Sequence, residues 1–157
     1  GQSEEFTMYA IGSLYGLTYF VKKTKITLVR LGGIKTILSV AKKHKDNYMA
    51  RSYAVGLLCN ISNMDDNETK EEVATDACTD LVLETMKRWP DEICTQKAGC
   101  YYFENISTVD NIKAKLRAKG ICSMLGNVID NFIDSNDDKK KDACNKAQDT
   151  FDKYRKQ

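Results

Sequence analysis

Apolar residues return at three- and four-residue steps along almost the whole chain, the period of an α-helix laid against a core. Residues 4–22 carry Phe6, Tyr9, Ala10, Ser13, Leu14, Leu17 and Phe20/Val21 in that spacing. Residues 34–44 repeat it with Ile34, Ile37, Leu38 and Ala41. Residues 48–63 do so with Ala50, Tyr53, Ala54, Leu57, Leu58 and Ile61. A short helix over 24–32 precedes these two and ends at Gly32-Gly33, a pair suited to a helix cap and a sharp turn. The polar run Lys42 to Asn47 and the loop Asn63 to Asn67 divide the segments.

The group of three then recurs. Short, middle and long helices are expected over 68–77, 79–89 and 92–108, with the turn at Ala77-Cys78 in the place of Gly32-Gly33. Pro90 stops the middle one, because proline cannot continue a helix. A third group opens over 111–119, passes Gly120, and continues with Ile121, Met124, Leu125, Val128 and Ile129. It closes with a polar helix over about 137–154, whose inward positions are Ala143, Cys144, Ala147, Thr150, Phe151 and Tyr154. The triplets Asn60-Ile61-Ser62 and Asn105-Ile106-Ser107 set the ruler at 45 residues. That length falls within the roughly 40–47 residues of HEAT and armadillo units. Four stretches follow: 1–22 as the last helix of a truncated unit, repeats at 24–63 and 67–108, and a capping repeat at 110–157.

Composition narrows the class. One Pro and nine Gly are few breakers for an all-β fold. A net charge of +2, from 24 basic and 22 acidic residues, lacks the basic excess of a nucleic-acid binder. No apolar run approaches the 18 or so residues of a membrane span. The six Cys form no CxxC pair and the one His is His44, so the clustered ligands of a zinc site are missing. The cysteines sit mostly in apolar helical contexts and read as small buried hydrophobes of a reducing interior, cytoplasmic or nuclear.

The order of short helix, Leu31-Gly32-Gly33-Ile34-Lys35-Thr36-Ile37-Leu38, polar turn, and long helix ending Ala54 to Asn60-Ile61-Ser62 resembles the armadillo repeat. The resemblance spans essentially the chain and is strongest from Gly32 to Ser62. It implies an all-α, right-handed α-solenoid of three-helix repeats. It also implies a non-catalytic protein-binding scaffold without metal or cofactor, whose long helices line a concave groove for a partner's extended peptide. In importin-alpha-like members an Asn on that helix bonds the peptide backbone and a Trp four residues earlier packs against it. Asn60 and Asn105 match the Asn; Gly56 and Tyr101 stand where the Trp would be, and Gly16 and Asp149 take the Asn place in the outer units.

Elementary helix geometry supports such a surface independently. Residues four apart share a face, so Asn60 lies with Gly56 and Asn105 with Tyr101. An amide side chain offers donors and an acceptor that match an extended backbone. Equally, both Asn side chains suit hydrogen bonds to the neighbouring repeat. Tyr101, Tyr102 and Phe103 span about 200° of one helix, which assigns Phe103 to the core and Tyr101 to the exposed face. Trp89 is expected to pack across its turn, His44 to sit in a surface turn, and Lys139 to Lys141 to form a solvated capping face. Lys22, Lys23 and Lys25, with Lys42, Lys43 and Lys45, are expected at helix C-termini. A second function class remains open: an architectural module that docks on neighbouring repeats or on its own copy through the exposed first helix.

Overall fold

The structure is a computed structural model that describes residues 2–109 and 111–155, with side chains from Glu5 onward. Gly1, Asp110, Lys156 and Gln157, at the outer edges of the expected units, lie outside the described residues. The described residues form ten helices and no strand. After α1 (Gln2–Phe20), a short, a middle and a long helix recur three times. They are α2 (Lys22–Arg30), α3 (Gly33–Lys43) and α4 (Tyr48–Ser62); α5 (Asn67–Val73), α6 (Asp76–Arg88) and α7 (Ile93–Ile106); and α8 (Ile112–Ala118), α9 (Ile121–Phe132) and α10 (Asp138–Arg155). The long helices start 45 residues apart, at positions 48, 93 and 138.

The long helices stand side by side: α4 packs on α1 and α7, and α7 packs on α4 and α10. The middle helices form a second row, with α6 against α3 and α9. The core runs between the rows and is filled by Leu57, Leu58, Ile61, Met86, Tyr102, Phe103, Ile106, Leu125 and Phe132, all fully buried. The inward positions expected on α10 hold: Ala143, Cys144, Ala147, Thr150 and Tyr154 are buried and Phe151 is half-buried. On α1, Ile11, Leu14, Tyr15 and Thr18 face the protein, while the stripe from Phe6 to Phe20 stands in solvent.

Local chemistry sets the boundaries. Gly32 (φ 74°) and Gly120 (φ 84°) precede α3 and α9 in the left-handed conformation, where a side chain would be strained. The second unit departs from that pattern. Its turn falls at Ala74-Thr75 and not at Ala77-Cys78, because the Thr75 hydroxyl accepts from Cys78 N–H at 3.4 Å and starts α6 earlier. Asn47 and Asp66 cap α4 and α5 in the same way, accepting from Ala50 N–H at 3.1 Å and Thr69 N–H at 2.8 Å. The first lysine cluster is also displaced. Lys22, Lys23 and Lys25 lie in the first turns of α2, just past the end of α1, and Lys25 is buried.

Polar bonds tie the rows together. Arg51 on α4 is buried, and its guanidinium donates to Thr85 Oγ1 at 2.9 Å and to Leu81 O and Glu84 Oε2 at 3.3 Å, all on α6. Trp89, expected to pack across its own turn, sets its ring edge-on to Tyr48 at the start of α4 in the preceding unit, with centroids 5.7 Å apart. The six cysteines are unpaired; Cys78, Cys100 and Cys144 are buried, whereas Cys94 is exposed.

Candidate interaction cleft

The side-by-side long helices leave a cleft of about 770 Å³ on one face. Tyr15 and Tyr19 of α1, Gly56 and Asn60 of α4 with Asn63 just past its end, Tyr101, Glu104 and Asn105 of α7, and Lys153 of α10 line it. Four of the six residues singled out in the sequence therefore meet in one place: Gly56, Asn60, Tyr101 and Asn105. Gly16 and Asp149 do not line it and are exposed on α1 and α10. Counted from the helix starts, Thr150 and not Asp149 stands level with Asn60 and Asn105. Thr150 is buried, and its hydroxyl donates to carbonyls of Lys146 at 2.8 Å and Cys100 at 3.3 Å.

The Asn-Ile-Ser triplet forms a joint between consecutive long helices. Asn60 Nδ2 donates to Thr18 Oγ1 at 3.0 Å and to Tyr15 O at 3.2 Å, and the Thr18 hydroxyl also donates to Tyr15 O. One unit later, Asn105 Nδ2 donates to Ser62 Oγ at 3.0 Å, and the Ser62 hydroxyl donates to Cys59 O at 2.8 Å. Each Asn thus reaches the hydroxyl that closes the previous long helix. The two differ in what is left over. Asn60 is buried, with both N–H groups engaged by α1. Asn105 is half-buried, and its second N–H and its amide oxygen take no partner among the described residues. Gly56 leaves room for the Tyr15 ring: a Cβ there would lie 2.5 Å from a ring carbon.

Charge concentrates at the α7–α10 side of the cleft. Glu104 accepts ion-paired hydrogen bonds from Lys146 and Lys153. Lys97 pairs with Asp142. The Lys146 ammonium lies 4.2 Å from the Tyr101 ring centroid and that of Lys97 lies 5.9 Å from it, a cation–π arrangement that fixes the ring. Burial pushes the Glu104 carboxyl up, but the two ammonium groups outweigh it and hold the group below its ordinary value of 4.5. Cys59 also lines the cleft; burial pushes its thiol up to about 12, so it stays protonated at neutral pH.

The Glu104 pairing has a testable pH signature. A carboxyl with a lowered folded pKa contributes stability above its unfolded value, and the contribution is lost as pH falls through the folded value. Wild type is therefore expected to melt above Glu104→Gln by a constant margin from pH 7 to about pH 5, the margin closing below about pH 4. Thermal melts followed by circular dichroism across this range measure it, and a margin independent of pH contradicts the pairing.

No family model, curated protein or solved structure matches the chain. Among the described residues no helix is long and apolar enough to cross a membrane, and no three His, Cys, Asp or Glu side chains group as ligands for a metal ion. Tyr15, Glu104 and Lys153 were not singled out in the sequence. Their place in the cleft follows from how neighbouring helices slide against one another, which spacing within a helix does not report.

Proposed function

We propose that the chain is an armadillo-type, right-handed solenoid that holds an extended segment of a partner protein in this cleft, without catalysis, metal or cofactor. The convergence of Gly56, Asn60, Tyr101 and Asn105 from two neighbouring helices into one cleft carries this reading. Packed helices stand about 8–10 Å apart, the length of about three residues of extended chain at roughly 3.3 Å each. Successive long helices therefore meet every third residue of a bound strand. In this reading Tyr101 is the aromatic anchor, clamped by its lysines, and the unused N–H and oxygen of Asn105 pair with the peptide backbone. Asn60 shapes the floor. The unpaired cysteines fit a reducing compartment, the cytoplasm or nucleus.

The test begins with peptides selected from a random display library on the immobilised chain, their affinities measured by fluorescence anisotropy. Tyr101→Ala and Asn105→Ala are each expected to weaken binding by about tenfold or more while the melting temperature moves little, as at interface hot spots. Peptides bound equally well by both variants sink the proposal.

A further inference from the structure

We infer that the exposed face of α1 is self-complementary and pairs with the same face of a second copy of this chain, the two helices antiparallel about a two-fold axis through Ser13. Phe6 and Tyr9 are each 74% exposed, Leu17 53% and Phe20 83%. With Ala10, Ser13 and Gly16, also exposed, they form one stripe at three- and four-residue steps, opposite Ile11 and Thr18. The stripe reads alike from both ends. Phe6 and Phe20 lie seven residues either side of Ser13, Tyr9 and Leu17 four, and Ala10 and Gly16 three. An antiparallel copy therefore sets Phe6 against Phe20, Tyr9 against Leu17, and Ala10 against Gly16. Large side chains meet at the two ends, and small ones in the middle let the backbones approach. A Cβ at Gly16 would meet nothing within 4 Å, so the hollow is open.

Charge and shape select the antiparallel sense. Exposed Glu5 stands at the start of α1, and exposed Lys22 and Lys23 follow its end. The antiparallel copy brings each carboxylate to the other's lysines, whereas a parallel copy would bring lysine to lysine. A groove of about 330 Å³ lies beside the end of α1, lined by Leu14, Val21, Leu28 and Leu31 among others. Its lining residue Val21 directly follows Phe20 in the chain, the end of the stripe at which Phe6 of the second copy arrives in this pairing. The stripe contains no residue that lines the cleft. A 19-residue helix is about 28 Å long, which places the interface at the small end of specific ones, on the order of 1,200 Å². An association in the micromolar range is expected.

Sedimentation equilibrium of the 157-residue chain up to about 200 µM tests this. A monomer–dimer equilibrium is expected, weakened by about 100-fold or more in Ser13→Arg, with an unchanged circular dichroism melt because Ser13 is exposed. A second measurement fixes the sense. With Cys94→Ser in both chains, Ala10→Cys and Gly16→Cys chains are mixed and mildly oxidised, and mixed disulfides are expected to outrun either like pair. A monomer at every concentration, which leaves the face to a different partner, overturns the proposal. So does a dimer that survives Ser13→Arg, or like pairs forming faster than mixed ones.

Discussion

Replacing Tyr102 by alanine is expected to lower the unfolding free energy by about 3–5 kcal/mol, the cost of removing a fully buried aromatic ring. Tyr102 has no exposure and packs edge-on to Phe103, with ring centroids 5.1 Å apart. Its hydroxyl donates to Val73 O at 2.5 Å. Val73 ends α5, a seven-residue helix too short to stand alone, and its carbonyl belongs to the last turn, which has no partner within the helix. Tyr102 therefore acts both as core and as cap. Tyr102→Phe separates the two roles: it keeps the ring and strips the cap, at an expected cost of about 1–3 kcal/mol. Urea denaturation of the three proteins measures both steps. A phenylalanine variant as stable as wild type shows that water serves Val73 equally well and removes the capping half of the argument. The same device recurs one unit on, where the Tyr154 hydroxyl donates to Phe103 O at 2.6 Å in the last turn of α7.

Why this much of the fold was legible follows from particular residues. The long helices announce themselves because Ala54, Leu57, Leu58 and Ile61 must all face one core, and only a 3.6-residue period achieves that. The start of α6 was not legible in the same way. Gly32 suggested a glycine-like turn 45 residues on, but a threonine side chain can begin a helix as well as a left-handed glycine can, and Thr75 does so two residues earlier. Arg51 gave no signal either. Its burial rests on three acceptors offered by α6, more than thirty positions away in the chain for two of them. The cleft divides along the same line. Gly56 with Asn60, and Tyr101 with Asn105, share faces by helix geometry alone, so their convergence was readable. The union of Glu104 with Lys146 and Lys153 depends on the register of α10 against α7. Asp149 shows the limit: one residue of offset separates it, exposed, from buried Thr150.

Converting Asn60 to aspartate is expected to cost about 3 kcal/mol at neutral pH, although the side chain keeps its shape. The amide donates both N–H groups to oxygens of α1, Tyr15 O and Thr18 Oγ1. A carboxylate in that position has no proton to give Tyr15 O, and it would face that carbonyl with a buried negative charge. Burial and the facing carbonyl both favour the protonated form, so Asn60→Asp has a folded pKa raised above its unfolded value of about 3.9. The sign of the pH dependence follows. Below about pH 4 the acid is neutral in both states and its O–H replaces one lost donor, so most of the deficit against wild type disappears. The deficit grows as pH rises through the interval between the two values and is constant above it. Asn60→Ala, with no charge to bury, carries a smaller deficit of about 1–3 kcal/mol that does not change with pH. Asn105→Asp is the control: Asn105 is half-buried and its partner is a hydroxyl, which can turn to donate to a carboxylate. Its cost is expected to be well below that of Asn60→Asp. Urea midpoints for the three variants between pH 3.5 and 7.5 decide the matter. An Asn60→Asp deficit that is flat across this range, or no larger than that of Asn105→Asp, shows that Asn60 is open to solvent and is not the joint between α4 and α1.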